Sequence, residues 1–198
     1  MRKGLCVPMM TLCLLLAGCV GEKEEAANLR THYQEMTGCT MTAVVTCDQG
    51  EAEWTATLRC EYVPGGESTV EVLEPELIAG VKAAFSDEDW QLEFEDTVLN
   101  AGELSSEELS PALCLPRLME ALRKGWLLEE NDEMWGEIPC RRLLLDRTGE
   151  KDGKILSAVW LRYDTGAPLR GEIAVNGEII LTAEFTEFEF RDIINHSE

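Results

Sequence analysis

Histidine is nearly missing from this chain: His32 and His196 are the only two in 198 residues. Neither adjoins a Gly-x-Ser-x-Gly turn or a comparable nucleophile motif, and hydrolytic nucleophiles need a neighbouring base. No Cys-x-x-Cys pair occurs, which with two distant histidines excludes the usual zinc spacings. Basic residues are scarce, 17 against 38 acids, for a formal net charge of -21. Nucleic acid requires the opposite sign of surface charge and is not a partner. The acid runs Asp87-Glu88-Asp89 and Glu129-Glu130 read as solvated loops rather than a glycosidase dyad. Asn131-Asp132-Glu133 lacks the glycine and terminal glutamate of a calcium loop. Gly65-Gly66 is too short to cradle phosphate. No catalytic residue, metal or cofactor is assigned, and the chain is expected not to be an enzyme.

No apolar run is long enough to span a bilayer. The longest, Leu5 to Leu16, is interrupted by Pro8 and Thr11 and falls short of the roughly 20 helical residues that a span requires. Arg2 and Lys3 precede it, and the small residues of Leu16-Ala17-Gly18-Cys19 follow it, which is the layout of an export signal. That tetrad resembles the lipobox of bacterial lipoproteins. The resemblance implies a signal peptide over 1–18, a diacylglyceryl (palmitate-type) lipid on Cys19, and anchoring at the extracytoplasmic face of the cell membrane. Two acyl chains hold stably where one holds marginally, at about 0.8 kcal/mol per buried CH₂. Residues 19–25 form a short tether, and at about 3.5 Å per residue the domain sits within roughly 20 Å of the bilayer. Residues 26–198 have the length of one domain, which at that size needs no staple to fold.

Glu22 to Met36 has the spacing of an amphipathic helix through Ala26, Leu29, Tyr33 and Met36. The period then changes to two. Cys39, Met41, Ala43 and Val45 alternate with polar residues, and after Asp48-Gln49-Gly50-Glu51 so do Trp54, Ala56, Leu58 and Cys60, a hairpin pattern. A turn centred on Gln49-Gly50 pairs Val45 with Trp54, Met41 with Leu58 and Cys39 with Cys60. Cys39 and Cys60 are therefore a candidate disulfide, whose oxidation the spacing leaves open, as it does for Cys114 and Cys140. Strands are expected at Ser68 to Glu74, at Leu77 to Phe85 and at Trp90 to Phe94, followed by a loop from Asn100 to Ser110. Ser110-Pro111 starts a helix with the stripe Leu115, Leu118, Met119 and Leu122, and Gly125 ends it. Strands resume at Trp126 to Glu130, Cys140 to Asp146, Ile155 to Tyr163 and Pro168 to Val175. Asn176-Gly177 is the strongest hairpin turn, and the phase change between Phe185 and Phe188 predicts a β-bulge near Thr186-Glu187.

About ten antiparallel strands, each apolar on one side, make a sheet nearly 50 Å wide at about 4.8 Å per strand, while a helix covers only about 10 Å. The fold class is α+β: a half-barrel sheet curved over two or three helices, with a hollow where cover runs out. Candidate cavity residues are Trp54, Leu58, Trp90, Phe94, Leu118, Leu122, Trp160 and Phe185. The order strands–helix–strands, the segment Asp164-Thr165-Gly166-Ala167-Pro168 and the ending Phe185-Thr186-Glu187-Phe188-Glu189-Phe190 resemble the LolA-like lipoprotein carrier superfamily. That resemblance implies an apolar ligand, a lipid or acyl chain, held in the hollow. The lipid on Cys19 departs from it, since the carriers are soluble shuttles. The chain is also similar to small germination lipoproteins of spore-forming bacteria, which implies the alternative of a non-enzymatic adaptor that binds a cell-wall enzyme or another envelope protein.

Overall fold

The computed structural model describes residues 29–48, 53–86, 90–94, 97–102, 111–147 and 154–191. The signal peptide, Cys19, the tether, the Asp87-Glu88-Asp89 run and His196 lie outside the described residues, as do the side chains of Trp90 and Phe94. Residues 29–35 form the described part of helix α1. Strands β1 (Gly38–Asp48), β2 (Glu53–Tyr62), β3 (Ser68–Glu74), β4 (Lys82–Phe85), β5 (Trp90–Phe94) and β6 (Thr97–Gly102) follow. A 3-10 turn (Pro111–Leu113) leads into α2 (Cys114–Lys124), after which come β7 (Trp126–Trp135), β8 (Ile138–Asp146), β9 (Ile155–Arg162), β10 (Pro168–Val175) and β11 (Glu178–Arg191). All eleven strands join one sheet in the order β6-β5-β4-β3-β2-β1-β11-β10-β9-β8-β7. Each pairing is antiparallel, so the first strand and the last meet at the middle.

The sheet curves because of what lies on it. Helix α2, about 16 Å long at 1.5 Å per residue, packs against β2, β8, β9, β10 and β11, and the 3-10 turn before it packs against β1. Those are six consecutive strands, gathered about the single segment 111–124. The α+β half-barrel over helices is thus the architecture found, with eleven strands rather than about ten. Leu115, Leu118, Met119 and Leu122 of α2 are completely buried against Leu58, Leu145, Val159, Leu161, Leu181 and Ala183. The closest approach is at Gly171 of β10, where an added Cβ would lie 2.4 Å from Cδ1 of Leu118.

Helix α1 seals the end of this layer. Arg30 Nε donates to the Leu122 carbonyl at 3.0 Å, and its Nη2 donates to that of Gly125, satisfying acceptors at the C-terminus of α2 that have no partner within the helix. The buried Tyr33 hydroxyl donates to the Gly166 carbonyl at 2.6 Å. Across the sheet, Tyr62 donates to Glu120, which also pairs with Arg123 at 3.2 Å and Lys124 at 3.0 Å, so β2 and α2 share a polar link. Burial pushes the Tyr62 phenol up, and its bond to Glu120 acts the same way.

The first hairpin pairs two residues away from the expected register. Cys39 faces Tyr62, Met41 faces Cys60 and Val45 faces Ala56. The sequence offered a turn at Gln49-Gly50, but the ladder pairs Asp48 with Glu53 and so encloses a longer connection through 49–52. Cys39 and Cys60 share the buried face as diagonal neighbours, at about 7–8 Å in such a ladder, beyond the Cα reach of a disulfide. Both thiols are free, as are those of Cys114 and Cys140. Leu77 to Ala79 does not extend a strand: the chain after Pro75 turns through a 3-10 segment (Glu76–Ile78) that leaves Leu77 91 % exposed. Of the stretch Asn100 to Ser110, expected to be loop, residues 100–102 are instead the end of β6, paired with β5, and 103–110 lie outside the described residues. By contrast Asn176 (φ 52°) and Gly177 (φ 93°) make the hairpin turn as expected. The bulge is there too: Thr42 pairs with Glu187 and Ala43 with Phe185, leaving Thr186 as the extra residue, with its hydroxyl donating to the Thr42 carbonyl at 3.1 Å.

Two outcomes are expected from this packing. Gly171→Ala forces Leu118 off its rotamer and costs about 1–3 kcal/mol, and Leu118→Ala alone costs about 2–5 kcal/mol. In urea denaturation the double variant loses less than the sum of the two, because the truncated Leu118 no longer meets the new methyl. Burial pushes the Cys39 and Cys114 thiols from 9.0 up to about 12. Folded thiols then keep a proton that unfolded ones release above about pH 9, so stability is flat below that pH and falls between 9 and 12. Each such thiol contributes a slope of about 1.4 kcal/mol per pH unit, which a Cys39→Ala variant reduces.

Candidate functional site

The concave face was the expected ligand site. The structure brings Leu58, Leu118 and Leu122 together there, fully buried, with Trp54 and Phe185 half-buried at the margin of the same core. All five belong to one hydrophobic cluster with α2. Trp160 belongs elsewhere: its neighbours Val159 and Leu161 point into the core, so strand alternation turns Trp160 onto the convex face. There it packs with Cys140 and Ala158, and with Trp135 at 6.3 Å between ring centroids. Its assignment to the cavity is corrected on that ground. Two surface hollows are lined by described residues, one of about 530 Å³ beside Thr55, Thr57, Glu74 and Pro75, the other of about 440 Å³ beside Thr40, Thr42, Arg59 and Glu187. Both are open and partly polar, on the outer side of β1, β2 and their neighbours.

The largest concentration of partnered charge lies at the far end of the sheet, in the β7–β8 hairpin. Arg141 of β8 is only 7 % exposed. Its Nη1 donates to Glu130 at 2.5 Å, its Nε to Asp132 at 2.8 Å and its Nη2 to the Tyr163 hydroxyl at 2.8 Å, while Tyr163 itself donates to Asp132. Burial works against the guanidinium's charge, but the bonds to Tyr163 and Glu130 outweigh it and hold Arg141 further protonated than usual. On the opposite face, Trp160 Nε1 donates to Glu133 at 2.7 Å and Arg142 lies 3.7 Å from Glu129. Arg142 also stacks over the Trp160 ring and Arg170 over that of Trp135, each at 5.3 Å from the centroid. Every acid of β7 is thereby tied to the body of the sheet. These pairs hold a surface rigid, and the Cys140 thiol beside them, donating to the Glu133 carbonyl at 3.4 Å, is pushed up by burial and by the Glu133 charge.

Sequence reasoning stopped β7 at Glu130 and treated Asn131-Asp132-Glu133 as a loop cluster. The strand runs on to Trp135, with eight of its ten residues exposed. An edge strand wet on both faces has no apolar alternation to reveal it. The available signal was Gly136, a turn residue at φ 61° immediately after Met134-Trp135. Among the described residues no group of three or more His, Cys, Asp or Glu side chains is arranged to hold a metal ion.

No protein-family model matches this chain, and no curated protein sequence matches it. Solved structures do share its arrangement. An uncharacterized conserved protein from Thermus thermophilus is 14% identical, with a TM-score of 0.49 over 88% of this chain and 90% of its own. A LolA superfamily protein from Nitrosomonas europaea is 12% identical, with a TM-score of 0.47 over 88% and 96%. A chain in the complex of the CwlD amidase with the GerS lipoprotein from Clostridioides difficile is 14% identical, with a TM-score of 0.42 over 89% and 100%. These likenesses, at 14% identity or less, assign the chain no ligand, partner or activity.

Proposed function

We propose that the chain is a membrane-tethered, non-enzymatic adaptor, anchored through lipid on Cys19 at the extracytoplasmic face and recruiting a protein partner of the cell envelope. The observation that carries this reading is the filling of the concave face by α2. Leu118 rests on Gly171 with no room for a methyl group between them, and Leu115, Met119 and Leu122 are wholly buried beside it. An acyl chain seated there would have to displace that helix from five strands and expose its apolar side, at about 25 cal/mol for every Å² returned to water. The outer surfaces carry the remaining chemistry, and on β7 they expose Trp126, Leu128 and Met134, side chains of the kinds that anchor protein partners.

Two measurements test the reading. Native mass spectrometry of the purified full-length protein is expected to give the mass of the processed chain plus the covalent lipid alone; a second, non-covalent lipid at one equivalent overturns the adaptor in favour of the apolar-ligand alternative. Cys19→Ala is expected to move the protein from the membrane fraction to the soluble or unprocessed pool and remove the lipid mass. A lipid mass that persists in that variant overturns the tether.

A further inference from the structure

We infer that the outer edge of β7 is a docking site for an extended, lysine- or arginine-bearing segment of a partner protein, which adds to the sheet as a twelfth strand. The inference rests on the adaptor reading and names its contact surface. Strand β7 stands at the end of the sheet and, among the described residues, pairs with β8 alone. A strand so placed presents a row of backbone donors and acceptors that a further chain can meet. Proteins commonly blunt such edges by keeping them short, by bulges, or by placing proline or charge on them. Strand β7 has ten residues, Trp126-Leu-Leu-Glu-Glu-Asn-Asp-Glu-Met-Trp135, without proline; its register shift lies near one end, between Leu127 and Glu129, and its charges are all of one sign, which turns away a like-charged strand but not a basic one.

Its charges decide the occupant. In the antiparallel register centred on Asn131, a second copy would set Glu129 opposite Glu133 and Glu130 opposite Asp132, and a parallel pairing in register would set each acid against itself. Like charges directly opposite are destabilising across strands, so self-association is disfavoured. A basic segment meets the same four positions with the opposite sign. The two arginines of the hairpin do not cancel them, since residues 126–146 carry six acids against Arg141 and Arg142. The chain's net charge of -21 draws a cationic partner in from a distance. At either end of the acidic run stand apolar groups fit to anchor it, Trp126 and Leu128 on one side and Met134 on the other, 77 %, 43 % and 61 % exposed. The bonds from Arg141 and Trp160 fix the strand before a partner arrives, so little freedom remains to be lost on docking.

The test uses the full-length protein in detergent and a capped ten-residue peptide alternating lysine and valine, with hydrogen exchange of the backbone amides as the readout. Exchange in 126–135 is expected to slow at least about fivefold at saturating peptide and to recover as salt is raised. A peptide with glutamate in place of lysine is expected to do nothing. Glu129→Lys with Glu133→Lys is expected to weaken the lysine peptide at least about tenfold and to admit the glutamate peptide. Should that pair misfold, Trp126→Ala, at an exposed position, is expected to weaken binding severalfold while the melting temperature stays put. Protection that falls outside β7, or none at millimolar peptide, overturns the inference. So does protection of β7 that rises with protein concentration alone, which assigns the edge to a second copy. A photo-crosslinker at Ile179 that captures a partner while one at Leu128 captures none removes this edge and leaves the adaptor standing; one equivalent of non-covalent lipid in the native mass removes the adaptor itself.

Discussion

The domain depends on one layer of packing, the apolar side of α2 pressed into the curve of the sheet. Its eleven strands form one sheet, and the eleven-residue helix reaches five of them, with the 3-10 turn before it on a sixth. Bending brings backbones close, and Gly171 is the point where helix side chain and strand main chain come nearest. The polar links at the margin are consistent with that arrangement. Arg30 satisfies carbonyls at the end of α2, and Tyr62 with Glu120 ties the helix to β2. The bond from Tyr62 could not form if the helix stood off from β2.

Filling the hollow changes where interaction surface can be. In a carrier the working residues are apolar and inward. Here the inward residues are used up by the fold, and the distinctive chemistry lies on the convex face and the β7 edge. Trp135 and Trp160 with Arg142 and Arg170 form a second, smaller cluster behind the sheet, where their rings are covered by guanidinium groups instead of aliphatic side chains. Arg141 does the equivalent on the inner side by gathering Glu130, Asp132 and Tyr163. The chain's acidity is thus locally ordered into a defined shape.

Much of the fold was legible because burial on one face writes a period of two into the sequence. β1, β2, β8, β10 and β11 show it, while β9, covered on both faces, does not, and the Asn176-Gly177 turn and the Thr186 bulge follow from simple rules of turn chemistry and phase. The failures have physical causes. Leu77, Ala79 and Val81 alternate by composition, yet Pro75 sends the chain into a tight turn before they can pair. The register of β1 with β2 was set from a two-residue turn, and a longer connection moved every partner by two. β7 was cut short because an edge exposed on both sides has no burial to record. The site residues divide in the same way: Leu58, Leu118 and Leu122 were placed on the correct face by periodicity. Trp160 was not, since a tryptophan behind a sheet and one inside it look alike in one dimension.

The extra residue at Thr186 has a larger effect than its size implies. Strict alternation from Phe185 would aim Glu187 and Glu189 inward, whereas the inserted residue reverses the order beyond it and brings Phe188 and Phe190 round to Tyr33, with Phe190 also stacked 4.3 Å from His32. One strand therefore carries two consecutive parity settings, the first serving α2 and the second serving α1. The seam between α1 and the rest of the body is greasy because of a single hydroxyl-bearing residue. Remove that residue, and α1 would confront a pair of carboxylates and lose its latch.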